Sequence, residues 1–211
     1  MDAVFLSRIQ FALAAGFHFI FPPLTLGMGL LIVINETLYL KTDKEIYKNI
    51  SKFLVKIFAL IFAIGVSTGI VLEFSFGTNW STYSRMVGDI FGAPLAAEGI
   101  LAFFLESVFI GVLLFGRDRV SKKMYWLSAF LVFFGSHLSG LWIIIANSWK
   151  QTPAGFVIEG GRAVLTDFFA AAVNYSTAQR FFHTIVGGWQ SGALFLAGIS
   201  AWYIIKKRDL D

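Results

Sequence analysis

Five long apolar stretches divide this chain. Ile9 to Asn35 contains no Lys, Arg, Asp or Glu. Ile57 to Leu72 is shorter and is bracketed by Lys56 and Glu73, whose side chains can reach back to the two edges of an apolar layer. Ile90 to Phe115 is apolar except for Glu98 and Glu106, and Met124 to Trp149 carries no charge but holds His137. Phe181 to Ile205 is also uncharged, with His183 near its start. A helix needs about 20 predominantly apolar residues to cross a bilayer. The pattern therefore predicts an all-α integral membrane protein with five spans over about 9–40, 53–76, 90–116, 124–149 and 181–205. The whole chain, 1–211, reads as a single membrane domain with one long polar connection over about 150–180. Within that connection, Ala163 to Ala172 is expected as a short surface helix. Pro22 and Pro23 fall inside the first stretch and should kink it.

Composition agrees. Of the 211 residues, 57% are hydrophobic and 14% charged, against about 25% charged in an ordinary soluble domain. Phe occurs 24 times, which suits lipid contact and packing around a flat apolar group. The absence of Cys excludes Cys-ligated iron–sulfur clusters, covalently attached haem and disulfides within the sequence. A net charge of +4 gives no reason to expect nucleic acid as a partner. The first stretch is too long, and too poor in preceding basic residues, for a cleaved signal peptide.

The basic residues alternate from loop to loop. Lys41, Lys44, Lys48, Lys52 and Lys56 follow the first stretch; Arg117, Arg119, Lys122 and Lys123 follow the third; Lys206, Lys207 and Arg208 follow the fifth. These three groups hold most of the 17 Lys and Arg. The excess of Lys and Arg on the cytoplasmic side then places the N-terminus outside and the C-terminus in the cytoplasm. Trp80, Trp126, Trp149 and Trp202 fall at or beside predicted helix ends, as interfacial aromatics do.

An ionisable residue inside a span is costly, so each is a functional candidate. At 1.5 Å per residue, His18 lies about 13 Å and Glu98 about 12 Å below the outer surface, while His183 lies about 3 Å in. Glu106 and His137 come out near the midplane. Glu98 and Glu106 are separated by about 80° around a regular helix, and so share a broad face. His18 is either a haem ligand or a core histidine bonded to a carbonyl or hydroxyl. The carboxylates are either proton carriers or helix–helix glue, and His183 is either a ligand or simply solvated at the interface. Imidazoles at outer depths on separate helices favour haem, whose iron is commonly held by His; a transporter would explain the carboxylates equally well.

Several longer strings sharpen this. They are Leu6-Ser7-Arg8, Phe17-His18-Phe19, Pro23-Leu24-Thr25-Leu26-Gly27-Met28, Phe76-Gly77-Thr78-Asn79-Trp80, Gly88-Asp89-Ile90-Phe91-Gly92-Ala93-Pro94-Leu95-Ala96, Phe103-Phe104-Leu105-Glu106-Ser107, Leu141-Trp142, Ala146-Asn147 and His183-Thr184. Through them the chain resembles the N-terminal half of subunit I of the cytochrome bd quinol oxidases. The resemblance implies that His183 ligates a low-spin haem b of the b558 kind. It implies that His18 ligates one of a high-spin pair: a b595-like haem b, and haem d or a further haem b. Glu98 would stand beside that pair. Glu106, Ser107 and Ser139 would form a proton path from the cytoplasm, and Trp142 and Asn147 would line the haem region. Electrons would pass through the low-spin haem to the pair, where oxygen is reduced to water.

Subunits of that family run well beyond this length, and their later helices supply further haem ligands and the quinol-binding loop. The basic tail reads as a cytoplasmic terminus. The expectation is thus a split subunit in the prokaryotic cytoplasmic membrane, completed by a separate membrane chain, with a subunit II as a further candidate member. Quinol is left open as the donor. His137 stands where the family pattern has Asn; it is a proton group, an added ligand or a neutral histidine bonded to a carbonyl, the last being favoured. Two other classes stay open: a bd-like haem protein without quinol oxidation, serving in peroxide or oxygen scavenging or as a haem-b electron-transfer anchor, and an ion transporter without haem.

Overall fold

The computed structural model describes residues 2–208, without the side chains of Leu101 and Ala102. Its elements are α1 (Ala3–His18), α2 (Phe21–Thr42), α3 (Glu45–Gly77), α4 (Ser81–Ala97), a π-helical segment (Glu98–Phe103), α5 (Phe104–Phe115), α6 (Lys122–Gln151), β1 (Phe156–Glu159), β2 (Arg162–Leu165), α7 (Phe168–Ala172) and α8 (Thr177–Ile205). Among the described residues, four helical segments are long and apolar enough to cross a membrane: Ala3–Thr42, Glu45–Gly77, Ser81–Phe115 and Lys122–Gln151. The fifth expected span is α8, whose 29 residues are sufficient in length. Gly187, Gly188, Gln190, Ser191, Gly192 and Gly198 dilute its apolar character.

Two of the expected single helices are divided, each at a proline. The first breaks at Phe19 and Ile20, so that Pro22 and Pro23 fall in the first turn of α2, where their missing N–H groups are tolerated. The third carries Pro94, which leaves the Ile90 carbonyl without its usual donor, and four residues later the backbone widens into the π-helical segment. That segment turns Glu106 away from the position a regular helix would give it relative to Glu98.

Helix α2 is central, packing on α3, α6 and α8. At its contact with α8 the backbones almost touch: a Cβ on Gly27 would stand 2.5 Å from the Gly188 carbonyl oxygen and 2.7 Å from Gly192 Cα. Gly188 and Gly192 form the small-xxx-small spacing that allows such an approach. A core of Met28, Ile32, Leu54, Phe58, Tyr125 and Val132 fills the space between α2, α3 and α6. Outside it, Leu13, Phe74, Phe115 and Leu194 are among many large apolar side chains left exposed, a surface suited to lipid rather than water.

The turns gather at two ends. At one, α2 closes on Asp43 in the left-handed region (φ 57°), whose carboxylate pairs with Lys122 at the head of α6. Beside it the buried Glu36 carboxylate is bonded by Arg117 and by Ser51. At the other end the connection after α6 departs from expectation. Ala163 to Leu165 is a strand, and only Phe168–Ala172 is helical. Gly160 and Gly161, at φ 55° and 75°, make the two-residue left-handed turn that joins β1 to β2 as a hairpin. Asp89 of α4 accepts the Leu165 N–H at 2.7 Å, and Ala163 is buried with Val87, Phe91 and Trp149 beneath the hairpin.

Candidate functional site

His18 is the last residue of α1, held there by the break before the prolines. Its Nδ1 lies 2.9 Å from Thr68 Oγ1 on α3. The Thr68 hydroxyl also reaches the Ile64 and Gly65 carbonyl oxygens at 2.9 and 3.0 Å. The next residue, Gly69, lets α3 pass directly under the imidazole, since a Cβ there would stand 3.2 Å from His18 Cε1. The other ring nitrogen, Nε2, has no hydrogen-bond partner among the described residues. An imidazole fixed at one nitrogen and open at the other, on a half-buried helix end, could hold a haem iron.

His183 lies in the second turn of α8, exposed and without a hydrogen bond among the described residues. One turn earlier, Arg180 donates to Ser176 Oγ at 3.2 Å and reaches Asn147 Oδ1 at 3.5 Å. Arg180 thus links Asn147 on α6 to the first turn of α8.

The carboxylates lie along one side of α6. Glu98, the first residue of the π-helical segment, accepts a 2.7 Å hydrogen bond from Ser139. Glu106 is buried on α5 and rests on Gly135, where a Cβ would stand 2.7 Å from Glu106 Cγ. Ser139, which the resemblance groups with Glu106 and Ser107, is bonded to Glu98. Ser107 follows Glu106 and is half-buried, with no hydrogen bond to either carboxylate among the described residues. Trp142, one turn beyond Ser139, has its indole nitrogen buried without an acceptor among the described residues. A buried donor of that kind is costly unless a bound group or partner completes it.

His137 carries both of its bonds within the protein. Nδ1 lies 2.7 Å from the Phe133 carbonyl oxygen, and Trp189 donates its indole N–H to Nε2 at 3.0 Å. The ring is thus the neutral tautomer with its proton on Nδ1, and no lone pair is left for iron.

Thr68 and the Glu36–Ser51–Arg117 cluster went unseen in the sequence. Thr68 and Ser51 are polar residues without charge, and Glu36 sits one residue beyond an uncharged stretch, where it reads as a helix boundary. Only the side-by-side packing of α1, α2, α3 and α6 gives them partners.

Comparison with known proteins agrees with this architecture. The family model for cytochrome bd terminal oxidase subunit I matches residues 6–211. Cytochrome bd-II ubiquinol oxidase subunit 1 of Escherichia coli (strain K12) is 50% identical over 210 residues, covering 99% of this chain and 41% of that subunit. Cytochrome bd ubiquinol oxidase subunit 1 of Bacillus subtilis (strain 168) is 48% identical, covering 100% of this chain and 45% of the relative. The solved bd oxidase from Geobacillus thermodenitrificans superposes with a TM-score of 0.92 at 28% identity, over 99% of this chain and 48% of the other. The chain thus spans less than half the length of each of these relatives. A helical membrane chain with a half-open histidine on α1 and two carboxylates against α6, matched over almost its whole length, belongs to the cytochrome bd terminal oxidase subunit I family.

Proposed function

We propose that this chain is the haem-bearing portion of a bd-type membrane quinol oxidase, with five spans, the N-terminus outside and the C-terminus cytoplasmic. His18 and His183 would hold haem iron, His183 that of a low-spin haem b and His18 that of one of a high-spin pair of haem b with haem d or a second haem b. The observation that carries this reading is the His18 ring, bonded to Thr68 through Nδ1 and open at Nε2. When bound, the haems carry electrons and supply the iron at which oxygen is reduced to water.

The protein's own residues manage position and protons. Glu98, oriented by the Ser139 hydroxyl, is the carboxylate of the high-spin surroundings. Glu106, sealed against Gly135, takes protons from the cytoplasmic side and releases them toward Glu98, with Ser107 next to it. Trp142 and Asn147 line the haem region. The remaining ligands and the quinol site belong to the portion of the longer relatives that this chain does not span; a subunit II is a further candidate member. The whole lies in the prokaryotic cytoplasmic membrane.

Spectra of the purified complex test this. His183→Ala should lose the low-spin signal and keep the high-spin pair, whereas His18→Ala should lose a high-spin signal and diminish binding of carbon monoxide. A complex without haem would overturn the reading. Haem present without quinol-driven oxygen uptake would leave an electron-transfer anchor or scavenger instead.

A further inference from the structure

We propose that Thr68 is a positioning residue for the iron ligand, holding His18 in the tautomer that turns a bare Nε2 toward haem. The inference rests on the reading of His18 as a ligand. A threonine hydroxyl has one proton and two lone pairs. At position 68 that proton has two acceptors in its own helix, the Ile64 and Gly65 carbonyl oxygens at 2.9 and 3.0 Å. Bonding back to a carbonyl three or four residues earlier is the ordinary arrangement for a helical Thr inside an apolar layer. With its proton so used, Oγ1 faces His18 Nδ1 at 2.9 Å as an acceptor only. In that arrangement Nδ1 carries the ring proton and Nε2 is the bare nitrogen.

Three features make the arrangement rigid. His18 closes α1, so its backbone is fixed by the helix on one side and by the break before Pro22 on the other. Thr68 is β-branched and its side-chain rotamer is restricted in a helix. Gly69 brings α3 so close to the ring that a methyl group there would meet Cε1 at 3.2 Å. The ring is thus held on one edge by a hydrogen bond and supported on the same helix by bare backbone. A ligating histidine commonly donates its second N–H in this way, and the acceptor increases the basicity of the ligating nitrogen.

Replacement of the hydroxyl by a methyl group in Thr68→Val keeps the shape and removes the acceptor. The His18 ring becomes a weaker donor to iron. In the purified haem-loaded complex, the iron–histidine stretching frequency of the high-spin haem should fall and its midpoint potential should rise. Affinity for that haem should weaken by about 10–100-fold. Thr68→Ser should restore all three, and the low-spin haem held by His183 should be unchanged throughout. Thr68→Ala, which removes the hydroxyl without a branched side chain, should reproduce the Val variant should the latter assemble poorly. A Thr68 that merely glues α1 to α3 would lower thermal stability while leaving frequency and potential where they were, and that result would overturn the proposal. Ser behaving like Val would also overturn it. His18→Ala separates the two levels: unchanged spectra in that variant would reject His18 as a ligand, whereas loss of a high-spin haem there with normal Thr68→Val spectra would reject only the role of Thr68.

Discussion

At the scale of single residues, the two glutamates of the third stretch occupy different surroundings. Glu98 has a hydroxyl partner at 2.7 Å, while Glu106 is buried with its Cγ against the bare backbone of Gly135. Glu98 is held by that hydroxyl, whereas Glu106 is packed deeper, against Gly135 and Ser136 of α6, a seat suited to exchange of a proton without much movement. Glu106→Gln keeps the shape and removes the ionisation. It should retain every haem with near-normal spectra and slow oxygen uptake by roughly 100-fold, the usual scale for loss of a proton-transfer group. Glu98→Gln should instead disturb the high-spin spectrum. Stripping of a haem by Glu106→Gln, with Glu98→Gln spectrally silent, would mean that the two roles are exchanged. Gly135→Ala supplies a separate check, because the new methyl group must displace the Glu106 side chain. It should slow oxygen uptake while the haem spectra stay as they are.

At the scale of elements, the helices are joined by a polar lock at one end and a glycine contact along their length. The lock is Glu36 of α2, bonded to Arg117 after α5 and to Ser51 of α3, with the guanidinium 3.6 Å from the Tyr125 ring centroid on α6. Removal of one partner leaves a buried charge without its counterpart. Glu36→Ala or Arg117→Ala should therefore destabilise the protein by about 3–5 kcal/mol, read as a lowered Tm of the purified complex. Replacement of both by Met should cost less than either single change, since no charge is then stranded. The glycine contact responds to volume rather than charge. Gly27→Leu cannot be accommodated beside Gly188 and Gly192 without separating α2 from α8. Poor assembly of that variant, together with loss of the His183 haem signal, is the expected outcome in a spectrum of isolated membranes.

At the scale of the whole molecule, the questions are which way the chain crosses the membrane and what completes it. The chain has no cysteine, so single introduced thiols report sidedness without background. Ile158→Cys, on the exposed hairpin, should react with a membrane-impermeant thiol reagent in intact cells. Lys44→Cys, at the Asp43 end, should react only after the membrane is opened. The reverse pattern would invert the topology and move Glu106 to the other side of the proton path. Among the described residues the Nε2 of His18, the exposed His183 and the Trp142 indole have no hydrogen-bond partner, and a bound group or further protein, rather than lipid, completes them.

The sequence by itself determined the helical membrane character, because spans without charge are long and nearly continuous, and a bilayer requires that of any segment that crosses it. It also marked His18, Glu98, Glu106 and His183, since an ionisable residue stands out against an apolar run. It placed a kink at Pro22 and Pro23 but did not show what either proline site does to the helix. The steric consequence of Pro94 is a wider turn that re-aims Glu106, and that of Pro22 and Pro23 is a break that places His18 at a helix end. It misread Ala163–Leu165 as helix, because two left-handed glycines and burial of Ala163 under the hairpin outweigh the helical preference of a short alanine-bearing segment. Only the tertiary structure decided the partners: Thr68 for His18, Ser139 for Glu98, Gly135 for Glu106, and Trp189 for His137. Each of these pairs joins residues at least 29 positions apart, and local pattern carries no information about which helix faces which. The side on which a histidine keeps its proton is set by that neighbour, and with it whether the ring can hold iron.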